Sequence, residues 1–295
     1  MKKIDGNIIL GLSGGVDSLV TALLLKRDYP NELNCILVDH GLLRKNEVEE
    51  VKRICKASDI KLDVVDAKTL FLNKLKGVTD PEQKRKIIGE EFFNVFKEEA
   101  KKLDNIKYLA QGTIKTDIIE STAGSGFVKS HHNVGGLPKE LGFELLEPLK
   151  VYTKDEVRRL GIELGLSKEF VNRQPFPGPG LAVRIMGEIT NEKIKIAQES
   201  DYLLQQYLVD NNIKPFQSFT VVLDTKATGI KDGKRNYAWV VAIRIIDSID
   251  AKTATVNYFD KEITKIADKI VKEVPNVSRV VYDISGKPPG TIEWE

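Results

Sequence analysis

The residues with the most chemical potential lie near the start of the chain, in Ser13-Gly14-Gly15-Val16-Asp17-Ser18. They follow a strand-like apolar run, Asn7-Ile8-Ile9-Leu10-Gly11-Leu12, and precede a helix-like one. A glycine turn between strand and helix leaves backbone N–H groups unpaired at the positive end of the helix dipole, where they can hold an anion. Ser13 and Ser18 add a hydroxyl at each end, and Asp17 can reach a metal ion. Phosphate loops of the G-x-x-x-x-G-K-[ST] type carry a lysine, but here none follows before Lys26. A cradle without it suits a departing pyrophosphate with its Mg²⁺ better than a γ-phosphate in transfer. Two glycines after a strand also make an ordinary βα turn; the two serines and the acid weigh against that reading.

Other groups qualify by position. Val38-Asp39-His40-Gly41-Leu42-Leu43-Arg44 leaves the second strand-like run, where the Val38 backbone can meet an adenine edge and Arg44 a phosphate or carboxylate. Without the neighbouring cradle the segment would be a plain βα turn. Gln111-Gly112-Thr113 begins at the end of the fourth strand, and Gly112 joins the nucleotide-binding set. Asp117 and Glu120 are three residues apart, so a helical turn puts both carboxylates on one face as a second handle on Mg²⁺, or merely as solvated acids at a helix start. Lys129, beside His131 and His132 in a long polar loop, can close on the phosphates and supply the charge the cradle lacks. The end of the chain, Asp283 to Glu295, is rich for a terminus: either a docked stabilising or dimerising tail, or a clamp in which Lys287 takes a phosphate and Glu293 accepts from ribose or base.

The elements that must position these residues alternate in type. Strand-like runs at Ile8–Leu12, Cys35–Val38, Leu62–Val65, Tyr108–Ala110 and around Leu145 are separated by helix-like ones, which predicts an α/β fold with a doubly wound parallel sheet. The run Arg173-Gln174-Pro175-Phe176-Pro177-Gly178-Pro179-Gly180 can be neither helix nor central strand, and reads as a linker. Beyond it a smaller α+β domain is expected, giving residues 1–172, a linker at 173–187, and residues 188–295. With 45 basic and 43 acidic side chains in 295 residues there is no electrostatic case for wrapping nucleic acid. No membrane segment or leader is legible, so a cytoplasmic protein is expected. The two cysteines, Cys35 and Cys55, form no C-x-x-C pair.

The first motif resembles the signature of the ATP pyrophosphatase (PP-loop) superfamily, which splits ATP into AMP and pyrophosphate while adenylating a substrate oxygen. Six strings in order, SGGVDS, VDHGLLR, QGTIKTDIIES, KSHHNVGGLP, RQPFPGPGLAVRI and KPPGTIEWE, resemble the ATP pyrophosphatase part of the GMP synthetase family, over nearly the whole chain. The resemblance implies ATP and Mg²⁺, with xanthosine monophosphate (XMP) adenylated at its C2 oxygen and then aminated by ammonia. It assigns Ser13, Gly14, Gly15, Val16, Asp17 and Ser18 to pyrophosphate, Asp17 and Asp117 to the metal, and Asp117, Glu120 and Lys129 to a mobile catalytic lid. Arg173, Pro177, Gly178 and Gly180 would lie against XMP, with Lys287, Ile292 and Glu293 closing over it. Gln174 stands where many relatives have His. The second domain would make a homodimer. Relatives that use glutamine within one chain carry an amidotransferase domain ahead of the cradle, but only twelve residues precede Ser13, and neither cysteine sits in a nucleophile context. A separate glutamine amidotransferase subunit is therefore expected. The alternatives are a PP-loop enzyme that modifies tRNA, or a non-catalytic nucleotide-binding subunit.

Overall fold

The computed structural model describes residues 4–122, 142–249, 251–258 and 263–295, with the side chains of 119–122 excepted. The chain folds as two compact units: Met1–His40, Asn46–Phe71 and Lys86–Gly178 in the first, Gly41–Lys45, Leu72–Arg85 and Pro179–Glu295 in the second. The division falls between Gly178 and Pro179, inside the stretch expected to be a linker, and residues 41–45 and 72–85 join the second unit.

In the first unit five strands, β1 (Asn7–Leu12), β2 (Leu33–Asp39), β3 (Leu62–Asp66), β4 (Ile106–Ala110) and β5 (Glu144–Leu146), form a sheet of order β3-β2-β1-β4-β5. Every pairing is parallel. Each residue of β2 is buried, as expected of a central strand covered on both faces. The chain winds from β1 outward to β3, then returns to β1's other side with β4. That reversal puts the switch point, where α/β sheets open a crevice, at the carboxyl end of β1.

Helices α1 (Val16–Asp28), α2 (Glu47–Ala57), α3 (Lys68–Leu75), α4 (Pro81–Lys101) and α5 (Lys115–Thr122) follow the first four strands. After β5 come α6 (Lys154–Glu163) and the short α7 (Lys168–Val171). Leu19, Val20, Leu23 and Leu24 are buried on α1, along with the polar Ser18 and Thr21. Such all-round burial explains why its sequence reads as apolar rather than amphipathic. A capping box starts α6: Thr153 accepts from the Glu156 N–H, and Glu156 accepts from the Thr153 N–H at 2.7 Å. At Gly161 a Cβ would lie 2.9 Å from Val171 Cγ1 and 3.1 Å from Val20 Cγ2, so glycine lets α6 sit close on α1.

The second unit is an α+β arrangement. Helix α8 (Asn191–Asp210) precedes a long antiparallel hairpin of β6 (Gln217–Lys231) and β7 (Lys234–Ile246); after it come α9 (Ile263–Glu273) and β8 (Val277–Tyr282), which pairs parallel with β7. The hairpin turns at Asp232-Gly233, both with positive φ (52° and 72°), the conformation this dipeptide adopts in two-residue turns. The apolar patterning of the sequence marks strands only over Phe219–Leu223 and Trp239–Ile245, and both run further. Their distal halves are largely exposed and polar, and a register shift between Val222 and Lys226 interrupts the alternation.

Candidate active site

The cradle is built at the switch point. Gly15 is the N-cap of α1 in extended conformation (φ −75°, ψ 159°), with no side-chain cap, so the first-turn N–H groups have no partner of that kind. The two serines stitch the loop instead. Ser18 Oγ donates to Gly15 O (3.0 Å), lies 3.2 Å from Ser13 Oγ, and accepts from the Ser13 N–H (3.3 Å). Gly14 has φ +78°, and a Cβ there would lie 2.8 Å from Oε1 of the buried Glu47. At Gly112 a Cβ would lie 3.1 Å from the Asp17 carbonyl carbon, so β4's exit loop abuts the first turn of α1. Gly14 is favoured by its left-handed conformation, and at Gly112 a side chain would press on the backbone of α1's first turn.

A cation already stands at this turn. Lys154, the first residue of α6, places its ammonium 2.7 Å from each carboxylate oxygen of Asp17, with both side chains partly exposed. The sequence reading missed Lys154 and gave the role of compensating cation to Lys129, which lies outside the described residues. Only the close packing at Gly161 brings together two residues 137 positions apart. Asp117 is half-buried and accepts from the Ile114 N–H at 3.1 Å, closing the turn that starts α5. Glu120 follows on the same helix, its side chain outside the described residues. Among the described residues no group of three or more His, Cys, Asp or Glu could hold a metal by itself. Mg²⁺ commonly takes one or two carboxylates and completes its shell with phosphate oxygens and water, and the hard oxygens of Asp17 and Asp117 fit that use.

The neighbouring strand end is buried. β1 ends at Leu12 opposite Leu37, so the buried Val38 stands one rung beyond it. Asp39 is paired with Lys68 at 2.9 Å. His40 is buried with its ring 5.5 Å from that of Phe71, and burial pushes its pKa down to about 4, only partly opposed by Asp39. It is a neutral core histidine. In the second unit, the charges of Arg184 and Arg44 favour the ionised form of the buried Asp201, whose pKa is nonetheless raised because burial dominates.

The residues expected to touch the second nucleotide are divided between the units. Arg173 belongs to the first, where it forms an ion pair with Glu50 and lies 4.5 Å over the Phe170 ring; Pro177 and Gly178 follow it. Gly180, in the second, has φ +64° and opens a 3₁₀ turn, Gly180–Arg184. In the tail, Lys287 donates to Ala251 O at 2.8 Å. Ile292 packs against Phe219, Val221 and Ala242. Glu293 was expected to accept from a ligand, yet it already accepts from Arg184 Nε (3.1 Å) and Nη2 (2.9 Å) and from Gln217 Nε2 (2.9 Å). Arg184 is buried, with 1% exposure, and only an arginine standing inside an apolar string hinted at it in the sequence.

Residues 204–294 match the family model for the GMP synthase C terminal domain, and residues 7–102 match that for Queuosine biosynthesis protein QueC. The GMP synthase [glutamine-hydrolyzing] of Brachyspira hyodysenteriae is 51% identical across 99% of this chain and 58% of that protein. Those of Thermotoga petrophila (52%, covering 100% of this chain and 60% of the protein) and Bacillus subtilis (51%, covering 99% and 58%) are as similar. The chain thus spans about three fifths of the length of these curated relatives. Among solved structures, NMN synthetase from Francisella tularensis overlays with a TM-score of 0.45 at 15% identity, over 59% of this chain and 68% of that one. With a PP-loop cradle in its first unit and the GMP synthase C-terminal domain in its second, the chain belongs to the GMP synthase family, as the synthetase portion of its members.

Proposed function

We propose that the chain adenylates XMP with ATP and aminates the product to GMP. The observation that carries this reading is that one chain, matched from end to end by GMP synthases, holds both the lysine-less cradle and the matched C-terminal domain. The C2 oxygen of XMP attacks the α-phosphorus of ATP, and the bond from that phosphorus to the bridging oxygen breaks. Pyrophosphate leaves into the cradle. Ammonia then attacks C2, the C2–O bond breaks, AMP departs with the oxygen, and the added nitrogen gives up a proton.

The chain's residues act mainly by stabilising the leaving group's charge. The N–H groups around Gly14 and Gly15 and the Ser13 and Ser18 hydroxyls receive pyrophosphate, while the backbone near Val38 and Gly112 holds the adenosine side. Lys154, beside Asp17, and Lys129, on the lid, supply positive charge. Asp17 and Asp117 would hold Mg²⁺, which when bound neutralises the departing phosphates. XMP is read by Arg173, Pro177, Gly178 and Gly180, and by Lys287, Ile292 and Glu293 of the tail.

Glutamine hydrolysis is assigned to a separate amidotransferase subunit. Cys35 and Cys55 are both buried; burial pushes the Cys35 thiol far up and that of Cys55 to about 11, so neither is a nucleophile. A homodimer through the second unit and a cytoplasmic location belong to the same proposal. Among the described residues no helix is long and apolar enough to cross a membrane.

The test is to supply XMP, ATP, Mg²⁺ and ammonium to the purified chain, follow pyrophosphate, AMP and GMP, then repeat with glutamine. GMP from ammonium alone is expected. No pyrophosphate would refute the activity, GMP from glutamine without a partner would refute the separate subunit, and turnover requiring tRNA would favour a base-modifying enzyme.

A further inference from the structure

Arg244 lies on β7 with 1% exposure, and its guanidinium is spent entirely on the tail. Nη1 pairs with the Asp283 carboxylate and donates to Ser285 O at 2.9 Å. Nη2 donates to Thr291 O at 2.6 Å, and Nε to Ile292 O at 2.9 Å. The acceptors fall on both limbs of one loop, 283 and 285 on the way out and 291 and 292 on the way back. Lys287 stands between them near the crown. There the Gly290 N–H closes on Gly286 O at 2.9 Å, and Lys287 exchanges backbone hydrogen bonds with Ala254 at 2.9 and 3.0 Å. Trp294 Nε1 donates to the same Asp283 carboxylate at 2.9 Å. Three of the four acceptors are main-chain carbonyls, so the grip is on the loop's path rather than on its side chains.

We propose that Arg244 is a positioning residue for nucleotide recognition: its buried guanidinium fixes the Asp283–Ile292 loop in the form that presents Lys287 to the phosphate of XMP. The inference rests on the reading of Lys287 given above. A lysine at 244 keeps the charge but concentrates its donors on one nitrogen, which cannot span two limbs of a loop as a planar fork can.

The test compares R244K, D283N and K287M in the full chain, by steady-state kinetics in XMP and ATP and by amide hydrogen exchange. R244K should raise the KM for XMP by about tenfold to a hundredfold, with the KM for ATP and the kcat at saturating XMP nearly unchanged. Exchange should quicken at the Lys287 and Gly290 amides, while the β6–β7 ladder stays protected. D283N, which keeps the carbonyl contacts, should show the same selectivity at smaller size. Unchanged XMP KM and loop exchange in R244K overturns the proposal, as does an equal rise in both KM values or loss of protection throughout the second unit. Should R244K fail to fold, unchanged XMP KM in D283N overturns it. K287M separates the two readings: a normal XMP KM there refutes the role of Lys287, while the exchange data still report whether Arg244 orders the loop.

Discussion

The cradle follows β1 and the tail follows β8, both as polar loops, yet they are stabilised in opposite ways. The cradle is made of backbone, two hydroxyls and glycines, and the ion pair beside it, Asp17–Lys154, is partly exposed. The tail is gripped by buried cations: Arg244 on residues 283–292, Arg184 on Glu293, and Lys84, with 0% exposure, on Glu295 and the Ile185 carbonyl. Under the function proposed above, the difference separates two ways to recognise a phosphorylated ligand. A loop that must receive and release an anion keeps donors available for it. A loop that must hold its side chains in fixed positions satisfies its main-chain and buried charged groups beforehand, because an unpaired buried charge is costly.

If that contrast is right, damage to the cradle should appear in turnover and damage to the tail's anchors in stability or substrate affinity. The largest effect is expected for Asp17→Asn, which should cut Mg²⁺-dependent pyrophosphate release by about a thousandfold and leave the unfolding midpoint near that of the parent. Near-normal turnover would remove Asp17 from the metal role. Next comes Lys84→Met, which leaves the Glu295 carboxylate buried without its cation. A loss of about 3 kcal/mol in urea-derived unfolding free energy is expected, with the KM for ATP hardly moved.

Gly14→Ala should be milder. It forces a side chain into φ +78° against the end of Glu47, and the expected reading is a roughly tenfold higher KM for ATP with little change in melting temperature. A large fall in melting temperature would mean that the cradle is structural in the way the tail is.

A further effect concerns pH. Burial lowers the pKa of His40 to about 4, below the ordinary 6.5, so the unfolded chain takes up this proton first. The stability contributed by neutral His40 is complete above pH 6.5 and is lost as pH falls towards 4, a loss on the order of 3 kcal/mol. His40→Phe should flatten that slope between pH 7 and 5, measured by urea midpoints; an unaltered slope would refute the assignment.

The legible parts of the fold are those encoded within a few residues. Apolar runs such as Ile8–Leu12 and Cys35–Val38, punctuated by helical periods, give a parallel sheet because covered strands need side chains on both faces. The cradle was readable because its glycines and serines are consecutive. The far ends of β6 and β7 were not, because exposed strands with a register shift lack a clean alternation. Nor was the assignment of residues 41–45 and 72–85 to the second unit, because their local pattern continues that of the first.

The sequence by itself determined the parallel architecture, the glycine- and serine-rich turn at Ser13–Ser18 and the unusual tail, since each depends on local residue type and spacing. Only the tertiary structure decided that Lys154 meets Asp17, that Arg184 already holds Glu293, and that Arg244 gathers both limbs of the tail loop. Those pairings join residues from 39 to 137 positions apart, and their geometry comes from packing. A glycine that lets two helices touch, or a strand that carries an arginine beneath a loop, sets distances that no local preference encodes.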